Sequence, residues 1–160
     1  MHESFMNANV ESFMAVLKAL HEHDVEYILI GGLAVALHGI SRHTQDVDIF
    51  VKRNPENLEK LRRALESVFD DEAIEEITVD ELKQYPVIRY GTPHDYYIDI
   101  LDRIGEAFRY DDLEYELIDT PGFPVRVATK ETLIKLKKDT MRLRDKYDVA
   151  YLQEKMQEKK

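Results

Sequence analysis

One stretch near the start of the chain, residues 27–51 (YILIGGLAVALHGISRHTQDVDIFV), constrains the fold more than any other. Residues 27–30 are a short apolar run that predicts a buried strand, and the pair Gly31-Gly32 interrupts it, so we expect a helix to begin there. Adjacent glycines at a strand-to-helix turn let backbone N–H groups approach an anion, and the positive end of the helix dipole adds to the attraction. The turn therefore predicts a phosphate-binding loop.

Two aspartates occupy the next predicted strand, residues 46–51. Because side chains alternate between the two faces of a strand, Asp46 and Asp48 project from one face while the apolar residues around them are buried on the other. Two carboxylates this close repel each other unless a cation lies between them. Oxygen ligands of this kind suit Mg²⁺ or Mn²⁺, which bind carboxylates together with substrate phosphates. The pair therefore predicts a divalent metal site.

A third candidate carboxylate, Asp99, lies in a predicted hairpin. Residues 87–90 and 96–101 read as two strands, joined by the sequence GTPHD, which is rich in residues that break regular structure. Asp99 projects from the face opposite to its apolar neighbours Ile98 and Ile100. Taken alone, it reads as an aspartate satisfied by a backbone donor. The Asp46/Asp48 pair upstream favours the interpretation that Asp99 joins the same site.

The rest of the chain alternates between helical and strand patterns. Periodicity and cap residues predict one helix that begins at Gly31 and further helices over residues 9–23, 55–69, 80–85, 129–142 and 145–157. They also predict a helical turn at 103–108 and further strands at 115–118 and 125–127. This order indicates an α+β (α/β) domain with a mixed central sheet, flanking helices and C-terminal helices. With 160 residues, 44% of them hydrophobic, we expect a single domain over residues 1–160.

Composition excludes several classes of protein. The chain has no cysteine, which rules out disulfides, thiolate zinc sites and a cysteine nucleophile. No apolar run approaches the ~20 residues that cross a bilayer, and the N-terminus lacks a basic segment followed by an apolar one. We therefore expect a cytoplasmic protein without a membrane contact.

Charge is unevenly distributed along the chain. The formal net charge of −10 argues against broad, non-specific affinity for nucleic acid. Residues 130–160, however, carry ten Lys and Arg against six Asp and Glu, a net +4, which leaves −14 for the remainder. Any polyanion is therefore expected to meet the C-terminal segment.

The Gly31-Gly32 pair followed by Asp46-x-Asp48 resembles the signature of the DNA polymerase beta-like nucleotidyltransferase superfamily, in the variant where Gly-Gly replaces Gly-Ser. That superfamily has a third carboxylate on a later, adjacent strand, and Asp99 matches it. The resemblance implies transfer of an NMP from an NTP to an acceptor hydroxyl with release of pyrophosphate. It also implies Mg²⁺ or Mn²⁺ on the three aspartates, Asp99 as ligand or general base, and nucleotide phosphates on the glycine N–H groups.

Arg42 and Thr44 lie just before the aspartate pair. Under the same resemblance, they either contact the triphosphate or shape the turn that leads into the strand. The residues alone leave both interpretations open.

A second segment, residues 132–152 (TLIKLKKDTMRLRDKYDVAYL), is similar to the C-terminal signature of the AbiEii-type branch of these enzymes. That branch has a lysine in one helix and an Arg-x-Arg/Lys-Asp-x-x-Asp segment that opens the next. The matching positions are Lys137 (with Lys135 and Lys138 as alternatives), Arg142, Arg144, Asp145 and Asp148. Alone, such a segment reads as a solvated basic helix with ordinary ion pairs. The resemblance implies that Lys137, Arg144 and Asp145 serve nucleotide binding.

The AbiEii-type resemblance also implies a biological role. It points to a toxin that adds nucleotides to the 3′ end of tRNA, restrained by a partner antitoxin, in a minimal version without the additional helical domain of many such toxins. Aminoglycosides and protein hydroxyls, the acceptors of other members, remain open. So does a non-catalytic module that binds a nucleotide or a partner. A single-metal phosphatase or nuclease accounts less well for Gly31-Gly32 and for the C-terminal segment.

Overall fold

The structure is a computed structural model that describes residues 9–40, 44–138, 152–153 and 156. Three of the predicted nucleotide-binding residues, Arg42, Arg144 and Asp145, lie outside the described residues. The end of the predicted helix 129–142 and most of the predicted helix 145–157 lie outside them as well. Leu152, from the latter, is fully buried in the core.

Helices and strands follow one another much as the sequence predicts. Their bounds, in chain order, are α1 Val10–Glu22, β1 Tyr27–Ile30, α2 Gly31–Leu37, β2 Val47–Val51, α3 Pro55–Val68, a 3-10 helix Glu72–Glu76, α4 Val79–Gln84, β3 Val87–Gly91, β4 Tyr97–Leu101, β5 Arg103–Ile104, β6 Phe108–Arg109, a 3-10 helix Tyr110–Asp112, β7 Tyr115–Thr120, β8 Phe123–Ala128 and α5 Lys130–Lys138.

Six of the strands form one mixed sheet in the order β3-β4-β2-β1-β8-β7. β1 pairs antiparallel with β2 and parallel with β8, while β2 pairs parallel with β4. The two hairpins, β3–β4 and β7–β8, form the opposite ends of the sheet. The sheet thus places β2 and β4, the strands that carry the predicted aspartates, side by side.

Local caps explain where several helices begin. The Asn54 side chain accepts a hydrogen bond from Asn57 N at 2.8 Å, and Pro55 occupies the first helical position of α3. Thr129 Oγ1 accepts from Thr132 N at 3.2 Å at the start of α5. Both helices were predicted from the sequence to begin at or next to these positions.

The predicted helical turn at residues 103–108 is wrong. These residues instead form the short antiparallel hairpin β5–β6, in which Ile104 faces Phe108. Gly105 adopts a left-handed φ of +57°, which reverses the chain between the two strands. A helix would need right-handed φ values at every position.

The apolar residues form one core that includes α1, α3, α5 and both faces of the central strands, with β1 and Val47 fully buried or nearly so. α1 packs against α3 and β8, and α2 packs against β1, β2 and α5. Among the described residues, no helix has the combination of length and apolar character needed to cross a membrane.

Candidate active site

The sheet brings the three predicted aspartates together. Asp48 on β2 and Asp99 on β4 are direct partners in the parallel register, so their side chains project from the same face. Asp46 lies just before β2, and its Oδ1 accepts a hydrogen bond from Tyr97 N at 3.0 Å, which ties it to the start of β4. The three carboxylates therefore form one cluster across two neighbouring strands, with Asp46 and Asp48 at the start of β2 and Asp99 in the middle of β4.

Gly31 lies directly against this cluster. β1 pairs with β2 so that Ile30 is opposite Asp48, and α2 begins at the next residue. Gly31 has a φ of +75°, and a Cβ built on it would collide with the Asp48 carboxylate, 2.9 Å from its Cγ. Only glycine fits this close approach without strain. The first N–H groups of α2, which include that of Gly32, lack partners within the helix and lie at the positive end of its dipole.

The surroundings of Asp48 strongly raise the pKa of its carboxyl group. Burial, followed by the charge of Asp99, a hydrogen bond with the Asp99 side chain and the charge of Asp46, raises its pKa from 3.8 to about 7. The nearby charge of Lys137 acts in the opposite direction. Negative charge thus exceeds positive charge around Asp48, an arrangement that a bound cation would relieve.

Lys137 on α5 is the described residue of the C-terminal motif. Its side chain is partly buried, while those of Lys135 and Lys138 point to solvent. The charge of Lys137 acts to lower the pKa of Asp48, so this lysine lies near enough to the cluster to influence it. Thr44 is partly buried two residues before Asp46.

Arg89 is a site residue that the sequence interpretation missed. It is the register partner of Asp99 across the β3–β4 hairpin, and its Nε and Nη2 donate to Asp99 Oδ1 and Oδ2 at 2.9 and 3.1 Å. Its Nη2 also lies 3.9 Å from Asp46 Oδ2. The predicted hairpin contained the signal, because strands joined by a five-residue turn place residues 89 and 99 near one another on one face.

Within the part of the chain that the structure describes, no three His, Cys, Asp or Glu side chains converge closely enough to hold a metal ion. Both oxygens of Asp99 face Arg89, and one oxygen of Asp46 faces Tyr97 N. The cluster has the oxygen donors of a divalent metal site, but they are directed to groups of the protein itself.

The chain is similar to a known protein family and to solved structures. A family model described as "Nucleotidyl transferase AbiEii toxin, Type IV TA system" matches residues 15–160. Among curated proteins, none matches the chain.

Two solved structures resemble the chain over most of its length. JHP933 from Helicobacter pylori is 17% identical with a TM-score of 0.55, and the match covers 95% of this chain and 67% of that one. The lincosamide antibiotic adenylyltransferase LnuA, solved with lincomycin bound, is 13% identical with a TM-score of 0.56, and the match covers 89% and 95%. At these identities the likeness shows a shared fold. It confirms the polymerase beta-like nucleotidyltransferase fold that the sequence predicted.

Proposed function

We propose, from the premise that this chain belongs to the AbiEii family of nucleotidyltransferase toxins, that it moves an NMP from an NTP to a hydroxyl at the 3′ end of tRNA with the help of a divalent cation. The family makes the chain a transferase; the acceptor and the metal are the proposed parts. One observation carries the proposal: Asp48 and Asp99 are direct partners on parallel strands, with the start of α2 against them.

The carboxylate cluster fits Mg²⁺ or Mn²⁺. Asp46, Asp48 and Asp99 offer oxygen donors alone, the set that these hard cations prefer. The raised pKa of Asp48 reflects, after burial, repulsion between these carboxylates that a divalent charge would offset. A divalent cation held there would polarise the nucleotide phosphates and the acceptor hydroxyl.

The chain's own residues then bind and orient the substrates. The N–H groups of Gly31 and Gly32 bind phosphate oxygens of the NTP, and Lys137 neutralises part of the triphosphate charge. Asp99 accepts the proton of the attacking hydroxyl. The acceptor oxygen forms a bond to the α-phosphorus, the bond between that phosphorus and the bridging oxygen to the β-phosphate breaks, and pyrophosphate leaves.

We assign supporting roles to four further predicted residues. Thr44 and Arg42 precede the aspartate pair and are proposed to contact the triphosphate. Arg144 and Asp145 are proposed to complete the nucleotide pocket from the C-terminal segment. For these residues the support is the match to the family over residues 15–160, together with the effect of the Lys137 charge on Asp48.

Charge favours tRNA as the acceptor. Residues 130–160 carry a net +4 in an otherwise acidic chain, and the charge of Lys137, from this segment, acts on Asp48. A polyanionic acceptor is expected to meet the part of the chain that carries net positive charge. As a member of a toxin family, the chain is proposed to act in the cytoplasm and to be held inactive by a cognate antitoxin.

The test is incubation of the protein with Mg²⁺, each labelled NTP in turn and total tRNA. The comparison variants are the double change Asp46→Ala, Asp48→Ala and the control double change Asp111→Ala, Asp119→Ala, which removes the same charge from exposed positions. We expect label on tRNA from the unaltered chain and from the control, and none from the site variant. Nucleotide binding without transfer to tRNA would contradict the proposed acceptor and favour a binding module or a different acceptor hydroxyl.

A further inference from the structure

We infer that Arg89 is the built-in counter-ion of the active site: it neutralises Asp99 while no divalent cation is bound and must leave that carboxylate for the cation to bind. The inference rests on the proposed metal site and adds a positioning residue to it. Arg89 thereby sets how tightly the site binds its cation.

The contact between Arg89 and Asp99 is bidentate and occupies both carboxylate oxygens, at 2.9 and 3.1 Å. Fork-like pairing of this kind is among the stronger ion-pair geometries in proteins. Because both oxygens of Asp99 accept from Arg89, the guanidinium lies where another partner of this carboxylate would bind. A metal ligand must turn at least one oxygen to the ion, so the arginine and the cation compete for the same carboxylate.

Arg89 also lies near Asp46, another of the three predicted metal ligands. Its Nη2 lies 3.9 Å from Asp46 Oδ2, so one guanidinium lies between two of the three carboxylates. A singly charged guanidinium leaves Asp48 facing excess negative charge, which agrees with its raised pKa.

The surroundings of Arg89 permit it to leave. Its side chain is 55% exposed, whereas that of Asp99 is 14% exposed. The guanidinium carbon lies 4.3 Å from the centre of the Tyr97 ring, itself on the solvent side of β4. Arg89 lies on the same face of the sheet as Asp99 and Tyr97. Arg89 is therefore held by its charge contacts and the Tyr97 ring, and it can rotate into solvent without opening the core.

The experiment measures Mn²⁺ binding directly, by the electron paramagnetic resonance signal of unbound Mn²⁺, without nucleotide. The variants are Arg89→Gln, which removes the charge, and Arg89→Lys, which keeps the charge but loses the bidentate geometry. Lys60→Gln on α3, where Lys60 pairs with Glu56, is the control for the overall change in charge. Asp48→Asn reports whether the bound Mn²⁺ uses the cluster. Far-ultraviolet circular dichroism verifies the fold of each variant.

We expect Arg89→Gln to tighten Mn²⁺ binding by about tenfold, the size of effect produced by groups adjacent to metal ligands. Arg89→Lys should fall between it and the unaltered chain, and Lys60→Gln should bind as the unaltered chain does. Equal or weaker binding by Arg89→Gln, or equal tightening by Lys60→Gln, would overturn the inference while leaving the metal site intact. If neither the unaltered chain nor Arg89→Gln binds Mn²⁺, the proposed metal site fails together with the inference.

Discussion

Strand β4 carries one aspartate within it, Asp99, and another just past its end, Asp102, and the two have opposite charge environments. Asp102 is 2% exposed, and it accepts from Arg53 Nη1 and Arg103 Nη1, each at 2.8 Å. Asp99 also contacts an arginine, but it faces the carboxylates of Asp48 and Asp46 as well. One acid is surrounded by two cations, and the other shares one exposed arginine with its acidic neighbours.

The difference shows how a structural aspartate can be distinguished from a functional one. Around Asp102, positive charge exceeds negative charge, and Arg103 also donates to the Leu82 carbonyl at 2.7 Å, which ties the end of β4 to α4. Such a group needs no ligand. Around Asp48 and Asp99, negative charge exceeds positive charge, a state that favours folding less and cation binding more.

The largest expected effect is on stability at Asp102. Asp102→Asn should lower the free energy of unfolding by about 3–5 kcal/mol, because Arg53 and Arg103 would lose their buried carboxylate. Chemical denaturation measures the change. The control is Asp119→Asn on the exposed side of β7, expected to stay within about 0.5 kcal/mol of the unaltered chain. A loss at Asp102 no larger than that of the control would contradict its structural role.

Replacing Asp48 by Asn should have the opposite effect and raise the free energy of unfolding. The pKa of Asp48 in the folded protein, about 7, lies above its ordinary value of 3.8, so the folded state binds more protons than the unfolded state between those pH values. The free energy of unfolding contributed by Asp48 therefore falls as pH rises through this window and levels off above it. Without a divalent cation, Asp48→Asn should stabilise the protein by about 2–4 kcal/mol near pH 8 and much less near pH 4.

Denaturation of both proteins across this pH range tests the second prediction. The informative quantity is the difference between the Asp48→Asn variant and the unaltered chain, since the other acids titrate in both. If this difference in the free energy of unfolding does not change with pH, the charges around Asp48 are as well balanced as those around Asp102.

One side of this contrast, the grouping of Asp46 and Asp48 beside Gly31, could be predicted from the sequence, because the signals that place these residues are local. Alternation along residues 46–51 places Asp46 and Asp48 on one face, and Gly31-Gly32 marks the turn against them. The sheet confirms the expected proximity of Asp99, since β4 lies beside β2. The caps at Asn54 and Thr129 are likewise local signals.

The arginines could not be assigned in the same way. Whether Arg89 reaches Asp99, and whether Arg53 and Arg103 both reach Asp102, depends on strand register and on which long side chain extends in which direction. The hairpin at residues 103–109 was missed for a related reason. Each of its strands has only two residues, too few for alternation to distinguish a strand from a helical turn, and the left-handed Gly105 decides between them.

A third prediction concerns the close approach of Gly31 to Asp48. Gly31→Ala should lower the free energy of unfolding by about 2 kcal/mol, from the left-handed φ and from the collision of the new Cβ with the carboxylate. Gly105→Ala and Gly122→Ala are matched controls, since their φ values of +57° and +99° bracket that of Gly31 and a Cβ at either meets no atom within 4 Å. Each control should lose about 1 kcal/mol.

The extra loss at Gly31 isolates the contact with the cluster. Combining Gly31→Ala with Asp48→Ala removes the colliding carboxylate, so the double variant should recover that extra loss. An equal loss at all three glycines would show that α2 does not press on Asp48, and that the proposed phosphate-binding turn does not lie against the proposed metal ligands.

The smallest expected effect is stabilisation by Mg²⁺, which should depend on Asp48 and not on Asp102. Mg²⁺ at about ten times its Kd should stabilise the unaltered chain by about 1.4 kcal/mol, because it binds the folded state alone. Excess chelator should remove the gain. Asp102→Asn, although less stable, should show the same gain, since Asp102 already has two arginine partners. Asp48→Asn should show none. An equal gain in Asp48→Asn would mean that Mg²⁺ binds elsewhere, and the excess negative charge around Asp48 would then need a different explanation from cation binding.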